Sequence, residues 1–153
     1  MWTNNQMKAC NLLLLIFLVS RSIQKDEKQF FLDDNVNLQS ELGKDYIYHR
    51  IKLTENELRL ADSLVEQYIL NNQNKYQWTS NVNSYYRQYA GYTQFTPDKK
   101  IFINAFKIKN KKVSEEFLRS HLYYVFGGGS SFFNIRVNLQ TKTCFDLRVN
   151  APR

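Results

Sequence analysis

Apolar and polar residues alternate over residues 45–54, in the segment DYIYHRIKLT. The side chains that share one face of this segment are Ile47, His49, Ile51 and Leu53. Those on the other face are Tyr46, Tyr48, Arg50 and Lys52. A period of two is typical of a half-buried strand, so we predict a strand here with the isoleucines and the leucine inward. His49 shares that inward face and is expected to be partly buried.

The period changes to that of a helix directly after this strand. Thr54 and Glu57 have the spacing of a capping box, which predicts the start of a helix. Apolar residues then recur at helical spacing, at Leu58, Ala61, Leu64, Val65, Tyr68 and Ile69. We predict an amphipathic helix of about five turns that packs one face on a sheet and ends at Asn71, Asn72 and Asn74.

Two antiparallel hairpins are predicted in the second half of the chain. Residues 84–95 and 100–109 form the first, joined by a Pro-Asp turn, and Gly91 marks a bulge or a bend. Ser114 is expected to cap a short helix after it. FFNIRVNL and CFDLRVNA form the second hairpin, with one face wet. Its predicted inward residues are Phe133, Ile135, Val137, Leu139, Phe145, Leu147 and Val149.

Three consecutive glycines, residues 127–129, precede the second hairpin. A phosphate-binding loop would need a following lysine and a helix, and neither is present in this segment. A nucleophile elbow needs Gly-x-Ser-x-Gly, and a dinucleotide fingerprint needs spaced glycines. Because glycine adopts positive φ without strain, we predict a backbone bend here.

The order strand, helix and two hairpins predicts an α+β domain over residues 45–153, with one long helix on a curved antiparallel sheet. This β-α-β-β-β-β order resembles the cystatin-like fold. In inhibitors of that fold, a Gln-x-Val-x-Gly hairpin enters the cleft of a cysteine protease. The nearest match here is Gln-Tyr-Ala-Gly at residues 88–91, which is one residue shorter and lacks the valine.

The N-terminal segment, residues 1–22, has the layout of a secretory signal peptide. Lys8 precedes an apolar run over residues 12–19, and Ser20 and Ser22 are small residues at a possible cleavage site. The alternatives are an uncleaved membrane anchor through residues 12–20 and a buried core helix. Residues 23–44 mix charges of both signs, and we predict a flexible tether there.

The C-terminal segment carries a second resemblance. Its residues are Gly128, Gly129, Phe133, Ile135, Val137, Thr141, Phe145, Leu147, Val149 and Asn150. This ending is similar to that of small uncharacterised exported proteins of Bacteroidota-type bacteria. The resemblance implies a location in the periplasm or cell envelope, or secretion, and implies no activity. It makes another envelope protein the expected partner, with the membrane as a further contact if the N-terminus is uncleaved.

Composition and charge limit the function only broadly. The chain has 153 residues, of which 43% are hydrophobic and 15% aromatic, enough for one domain with its own core. The formal net charge of +7 fits nucleic acid, an anionic membrane surface or an acidic partner. YYRQYAGY suggests a stacking platform for nucleic acid, but an exported protein would not meet that partner.

Candidate chemistry is sparse. Two histidines and two cysteines give no cluster with the spacing of metal ligands, so we expect no metal and no cofactor. Cys144 lies in a strand pattern and is predicted to be a buried, inert thiol. Adjacent carboxylates such as Glu115 and Glu116 point apart and form no dyad.

Three function classes stay open. The first is a non-enzymatic binding module with anchors at Tyr46, Tyr48, Tyr85 and Tyr89; alternatively, these tyrosines cover the helix or the sheet edge. The second is a small enzyme using His49 or His121, which requires a histidine in a concave pocket beside a carboxylate. The third and weaker alternative is a cytosolic nucleic-acid binder.

Overall fold

The computed structural model describes residues 27–43, 47–72, 81–108 and 113–151. Within these ranges the chain forms three α-helices and a mixed sheet of six strands, which confirms the predicted α+β class. The elements are β1 (Gln29–Phe31), α1 (Gln39–Leu42), β2 (His49–Ile51), α2 (Glu55–Asn71), β3 (Tyr86–Thr93), β4 (Lys100–Phe106), α3 (Glu115–Ser120), β5 (Phe132–Asn138) and β6 (Thr143–Val149). The predicted signal peptide or anchor, residues 1–22, lies outside the described residues.

The sheet is built around an antiparallel meander from β3 to β6. The β3–β4 and β5–β6 pairs are the two predicted hairpins. β1 pairs parallel with β3, and β2 pairs antiparallel with the same strand. Two short strands therefore share one edge of β3.

Helix α2 begins at the predicted capping box. The Thr54 side chain accepts from the Glu57 backbone N–H at 3.3 Å, and Glu57 Oε2 accepts from the Thr54 N–H at 2.8 Å. Glu57 also accepts from Lys99 Nζ at 2.7 Å, which ties the helix start to the β3–β4 turn. The hydrogen bond from Lys99 is the main cause of a lowered pKa at Glu57.

One face of α2 packs on one face of the sheet and forms the main core. The helix residues are Leu58, Ala61, Val65 and Ile69, and the sheet residues include Ile101, Ile103, Ala105, Phe133, Ile135 and Val137. The predicted inward positions of the helix and of β5 are thereby confirmed. Each large apolar side chain buried in this way stabilises the fold by about 1.5–3 kcal/mol.

The second face of the sheet is also covered, over strands β3 and β4. Leu32, Val36, Leu38 and Leu42 pack there against Ala90, Tyr92 and Phe102. Residues 27–43, predicted to belong to a tether, thus contribute a strand, a short helix and five buried side chains. The physical reason is that β3 and β4 carry apolar residues on both faces, as strands buried on both sides do.

Strand β6 contains a bulge that the alternation did not predict. Asp146 has φ 49°, and the register with β5 shifts between Asn134 and Arg136. Phe145 therefore lies opposite Arg136, whereas the helix-side core receives Cys144 and Leu147. The prediction that Phe145 faces the same core as Leu147 is wrong because the extra residue reverses the alternation.

The glycine bend is confirmed. Gly127, Gly128 and Gly129 all have positive φ, at 75°, 93° and 54°. The Asn150 side chain donates to the Gly127 carbonyl at 3.0 Å and also to the Val125 carbonyl. The bend is thus fastened to the segment that follows β6.

Candidate binding site at the junction of two border strands

β1 and β2 lie end to end along one edge of β3. β1 runs parallel to β3, and its last paired residue, Phe31, lies opposite Tyr89. β2 runs antiparallel, and its last paired residue, Ile51, lies opposite Gly91. Both strands therefore end beside Ala90, from opposite directions, and leave a gap in the sheet edge.

The gap opens into a cavity of about 390 Å³, which we call the edge notch. Residues 31–34, after β1, and residues 50–53, at the end of β2, line it. β3 contributes Tyr89 and Gly91, and α3 contributes Arg119. A volume of this size lies in the range of about 300–1,000 Å³ that is typical of small-ligand sites.

Gly91 allows the backbone around β2 to lie close to β3. It is paired in regular register on both sides, with Ile51 and with Ile101, so the predicted bulge or bend is not formed. A Cβ atom at this position would lie 2.7 Å from the Ile51 carbonyl oxygen and 2.7 Å from Leu53 Cγ. Because the first of these contacts is with backbone, rotating a side chain does not relieve it.

We expect Gly91→Ala to lower the free energy of unfolding by about 1–3 kcal/mol, because β2 must move away from β3. Urea denaturation gives the loss, and hydrogen exchange should become faster in residues 49–53. Gly128→Ala is the control, since a Cβ there meets only Val125 Cγ1 at 4.0 Å. Its cost comes from the positive φ and should leave exchange in residues 49–53 unchanged. Equal exchange in the two variants would contradict the close-approach explanation.

Arg50 is a fixed cation of the edge notch. Its Nη2 donates to the Leu32 carbonyl at 2.8 Å, and its Nη1 donates to the Val36 carbonyl at 3.3 Å. The side chain is 12% exposed, and Asp34 Oδ1 lies 4.0 Å away. Burial lowers the pKa of Arg50, and the charge of Asp34 offsets this only in part. The guanidinium is therefore held in place without a close carboxylate partner among the described residues.

The remaining charges of the edge notch are Lys52, Arg119, Asp33 and Asp34. Arg119 lies 3.8 Å from Glu115, whose side chain is 69% exposed, and Asp34 is 77% exposed. Long, exposed ion pairs of this kind contribute little stability. Among the described residues, the lining contains three cations and two carboxylates, which gives these residues a net charge of +1.

Of the four tyrosines predicted as anchors, the three that the structure describes do not form a common surface. Tyr46 lies outside the described residues. Tyr85 and Tyr89 are buried in the helix-side core, and the hydroxyl of each donates to a group inside the protein. Tyr48 is half-buried, and its hydroxyl accepts from the Leu38 N–H at 3.0 Å. Tyr85 and Tyr89 are thus core residues, as the alternative interpretation predicts.

The stacking platform suggested by YYRQYAGY is likewise not on the surface. Tyr85, Tyr89 and Tyr92 are buried, and burial raises the pKa of Tyr92 to about 12. Tyr86 is half-buried and stacks with Phe30 and Phe106. These rings are therefore not available for stacking on nucleic-acid bases.

Neither histidine lines the edge notch. His49 is exposed, contrary to the inward position predicted, because α2 covers Leu53 of this segment and leaves His49 at the border of the sheet. His121 follows the end of α3, as predicted, and is also exposed. Its ring stacks on Phe117, with centroids 4.7 Å apart, and its Nδ1 lies 2.9 Å from Ser120 Oγ.

Cys144 is half-buried, and burial raises the pKa of its thiol to about 11. The thiol is therefore protonated at neutral pH, which agrees with the predicted inert role. In the part of the protein that the structure describes, no group of three His, Cys, Asp or Glu side chains could hold a metal ion.

The residues of the edge notch were not identified from the sequence, because other locations were predicted for the two segments that form its walls. Arg50 and Lys52 fell on the face opposite the predicted inward one, and residues 31–34 fell in the predicted tether. A signal was present in the apolar run Phe30-Phe31-Leu32, which is short but consistent with a buried strand. Arg119 offered no such signal, since its position depends on how α3 packs.

Across the described ranges, every helix is too short or too polar to cross a membrane. The predicted anchor segment, residues 12–20, lies outside them. Comparisons of the sequence with protein-family models, with curated proteins and with solved structures gave no match.

Proposed function

We propose that this protein is a non-enzymatic binding module that engages another protein at the edge notch. The observation that carries this proposal is the composition of the notch, which combines charges of both signs with the half-exposed ring of Phe31. Among the residues that the structure describes, its lining has no histidine, serine or cysteine, three residue types that often act as base or nucleophile. Buried or half-buried aromatic and arginine side chains are the usual anchors of protein interfaces.

The position of the edge notch favours a protein over a small metabolite as its partner. Among the described residues, β1 and β2 each pair with β3 alone, so both lie at the border of the sheet. A border strand presents backbone N–H and C=O groups to which an extended segment of another protein can add. The notch lies between two such strands, where an added segment would place a side chain.

We infer further that the protein acts after export, in the periplasm or cell envelope, or anchored through residues 12–20. The support is the layout of residues 1–22 and the C-terminal resemblance. The partner is then another envelope protein. Intact mass and cell fractionation in the native host test this, and a full-length soluble cytoplasmic protein would contradict it.

We also infer a cystatin-like architecture for the domain. The order β2, α2, β3, β4, β5 and β6, with the last four strands as a meander, supports it. An inhibitory hairpin at residues 88–91 is not part of the inference, because this segment lies within the regular strand β3 and Gln88 is buried. The edge notch therefore replaces that hairpin as the proposed contact surface.

Site-specific photocrosslinking tests the proposed contact surface. We expect a photoreactive phenylalanine derivative at position 52 of the full-length protein, expressed in the native host, to give one discrete adduct whose partner is identified by mass spectrometry. Phe31→Ser should reduce the adduct at least fivefold, because it removes the exposed aromatic anchor.

The matched control is the same derivative at position 70. Leu70 is exposed, and it lies about 22 Å along α2 from Glu55 at a rise of 1.5 Å per residue. An adduct from position 52 alone supports the proposal. No adduct from position 52, or the same adducts from both positions, would refute contact at the edge notch.

A further inference from the structure

The charges of the edge notch define the chemistry of its ligand. Three cations face two carboxylates, so a ligand with one negative charge balances the site. A phosphate monoester carries about −1.5 to −2 charges at neutral pH and would add repulsion from Asp33 and Asp34. Charge balance therefore favours a carboxylate over a phosphate.

Arg50 is arranged to meet such a carboxylate. Two backbone carbonyls, those of Leu32 and Val36, fix its guanidinium, so little side-chain entropy is lost on binding. Its Nε is buried and has no hydrogen-bond partner among the described residues. The charge of Arg50 is only partly offset by Asp34, and its guanidinium is held in place. A carboxylate that enters the cavity should bind such a cation more strongly than an exposed lysine, because less water competes for the contact.

The apolar part of the lining indicates what accompanies the carboxylate. Phe31, at the end of β1, is 39% exposed, and Leu53 is half-buried at the end of the other wall. These side chains offer apolar surface beside the charged groups. A ligand that carries an apolar side chain next to its carboxylate would contact both the apolar and the charged residues of the lining.

We propose that the edge notch binds a carboxylate in an extended segment of the partner, with an apolar residue beside it against Phe31. This inference rests on the proposed function and names the chemistry that the same site recognises. The carboxylate is that of an Asp or Glu side chain or the terminal carboxylate of the partner's last residue. Arg50 supplies the fixed charge, and the exposed Lys52 and the half-buried Arg119 add to it.

Peptide titrations followed by NMR of the ¹⁵N-labelled full-length protein in neutral detergent test this proposal. The probes are acetyl-Gly-Asp-Phe-Gly-amide and acetyl-Gly-Phe with a free carboxylate, each compared with its neutral analogue, the Asn peptide and the Phe amide. We expect the backbone signals of Arg50, Lys52 and Gly91 to shift. The neutral analogues should bind at least about tenfold more weakly, since they lose a charge-assisted hydrogen bond to Arg50.

Three substitutions of charged lining residues test recognition, two of them at the exposed positions of Lys52 and Asp34 and one at the half-buried Arg119. Lys52→Gln and Arg119→Gln should each weaken binding of the acidic peptides about two- to fivefold. Asp34→Asn should strengthen it by a similar factor, because it removes a like charge, and should leave the neutral analogues unchanged. Asp34 is 77% exposed, so this variant tests the charge without disturbing the core.

The outcomes distinguish the proposal that the edge notch recognises a carboxylate from the proposal that it contacts another protein. Equal binding of acidic and neutral peptides, shifts that map away from the edge notch, or an Asp34→Asn variant without effect would overturn the proposal. If position 52 gives a crosslink while acidic and neutral peptides bind equally well, the proposed binding module is supported and carboxylate recognition is refuted. If the acidic peptides bind more tightly than the neutral ones while no crosslink forms, the edge notch binds carboxylates and the proposal of a protein partner is refuted. Preference for the Asp peptide or for the free terminal carboxylate identifies the source.

Discussion

Replacing Asp62 with alanine should lower the free energy of unfolding by about 3–5 kcal/mol, which is the usual cost of removing one partner from a buried ion pair. Asp62 lies on α2 and faces the sheet. Its carboxylate accepts from Gln29 Nε2 at 2.9 Å, from Arg87 Nη1 at 3.2 Å and from the Tyr89 hydroxyl at 2.7 Å. One side chain thus connects the helix to β1 and to β3.

The size of the effect comes from Arg87. Its side chain is 0% exposed, and a guanidinium stays charged at any ordinary pH. In Asp62→Ala the charge remains buried after the ion pair with Asp62 is lost, and the contact with Asn83 Oδ1 at 3.0 Å is among those that stay. A domain of this size is stable by about 5–15 kcal/mol in total, so the loss is a large fraction.

Urea denaturation of the full-length protein measures the loss. Glu55→Ala on the same helix is the control, because the Glu55–Arg59 pair is 3.5 Å long and mostly exposed. It should cost less than about 1 kcal/mol. If Asp62→Ala does not fold, the double variant Asp62→Leu with Arg87→Met should, since matched apolar residues can replace a buried ion pair. An Asp62→Ala variant as stable as Glu55→Ala would contradict the assigned role.

The sequence could predict the parts of the fold that a single period describes. The capping box and the apolar stripe of α2 are local features, and the structure has them as predicted. β5 alternates over most of its length, and its inward residues are placed correctly for the same reason. Local periodicity indicates which face of an element is apolar. This is enough to predict the buried face wherever an element packs on one other element through one face.

The parts that could not be predicted depend on contacts between distant segments. Residues 29–42 are short and mixed in character, and only the apolar second face of β3 and β4 gives them a place to pack. The bulge at Asp146 is not visible in the alternation, because it is stabilised by an ion pair with Arg136 of the neighbouring strand, at 2.7 Å. The edge notch depends on such contacts as well, since four separate segments of the chain line it.

Gln88→Leu should lower the free energy of unfolding by about 3–4 kcal/mol, because several buried polar groups lose their partner at once. The Gln88 side chain is 0% exposed. Its Nε2 donates to the carbonyls of Leu118 and His121, at 2.6 and 2.7 Å. Its Oε1 accepts from Asn104 Nδ2 and from the Tyr123 N–H, each at 2.9 Å. One amide thus holds the end of α3 and the following loop against the sheet.

The loss should be concentrated in this segment. Hydrogen exchange should become much faster in residues 117–125, which Gln88 holds in place. Exchange in α2 should change much less, because Gln88 is not part of the core on which α2 packs. Binding of the acidic peptides should also weaken, because Arg119 belongs to the released segment. Gln67→Leu, at an exposed position of α2, is the matched control and should change stability by less than about 0.5 kcal/mol.

Gln88→Glu tests the donor role separately, because it preserves the shape and replaces the amide nitrogen with oxygen. An ionised carboxylate there would face two carbonyl oxygens in a buried site, so folding should raise the pKa of the new glutamic acid above its ordinary value. A group whose pKa is raised in the folded state binds more protons there, and the variant should therefore become more stable as the pH falls from 7 towards 5. The protonated acid regains one O–H donor, which explains the direction. A Gln88→Glu variant that lost stability over this range, relative to the wild-type protein, would show that the two carbonyls do not depend on a donor at this position.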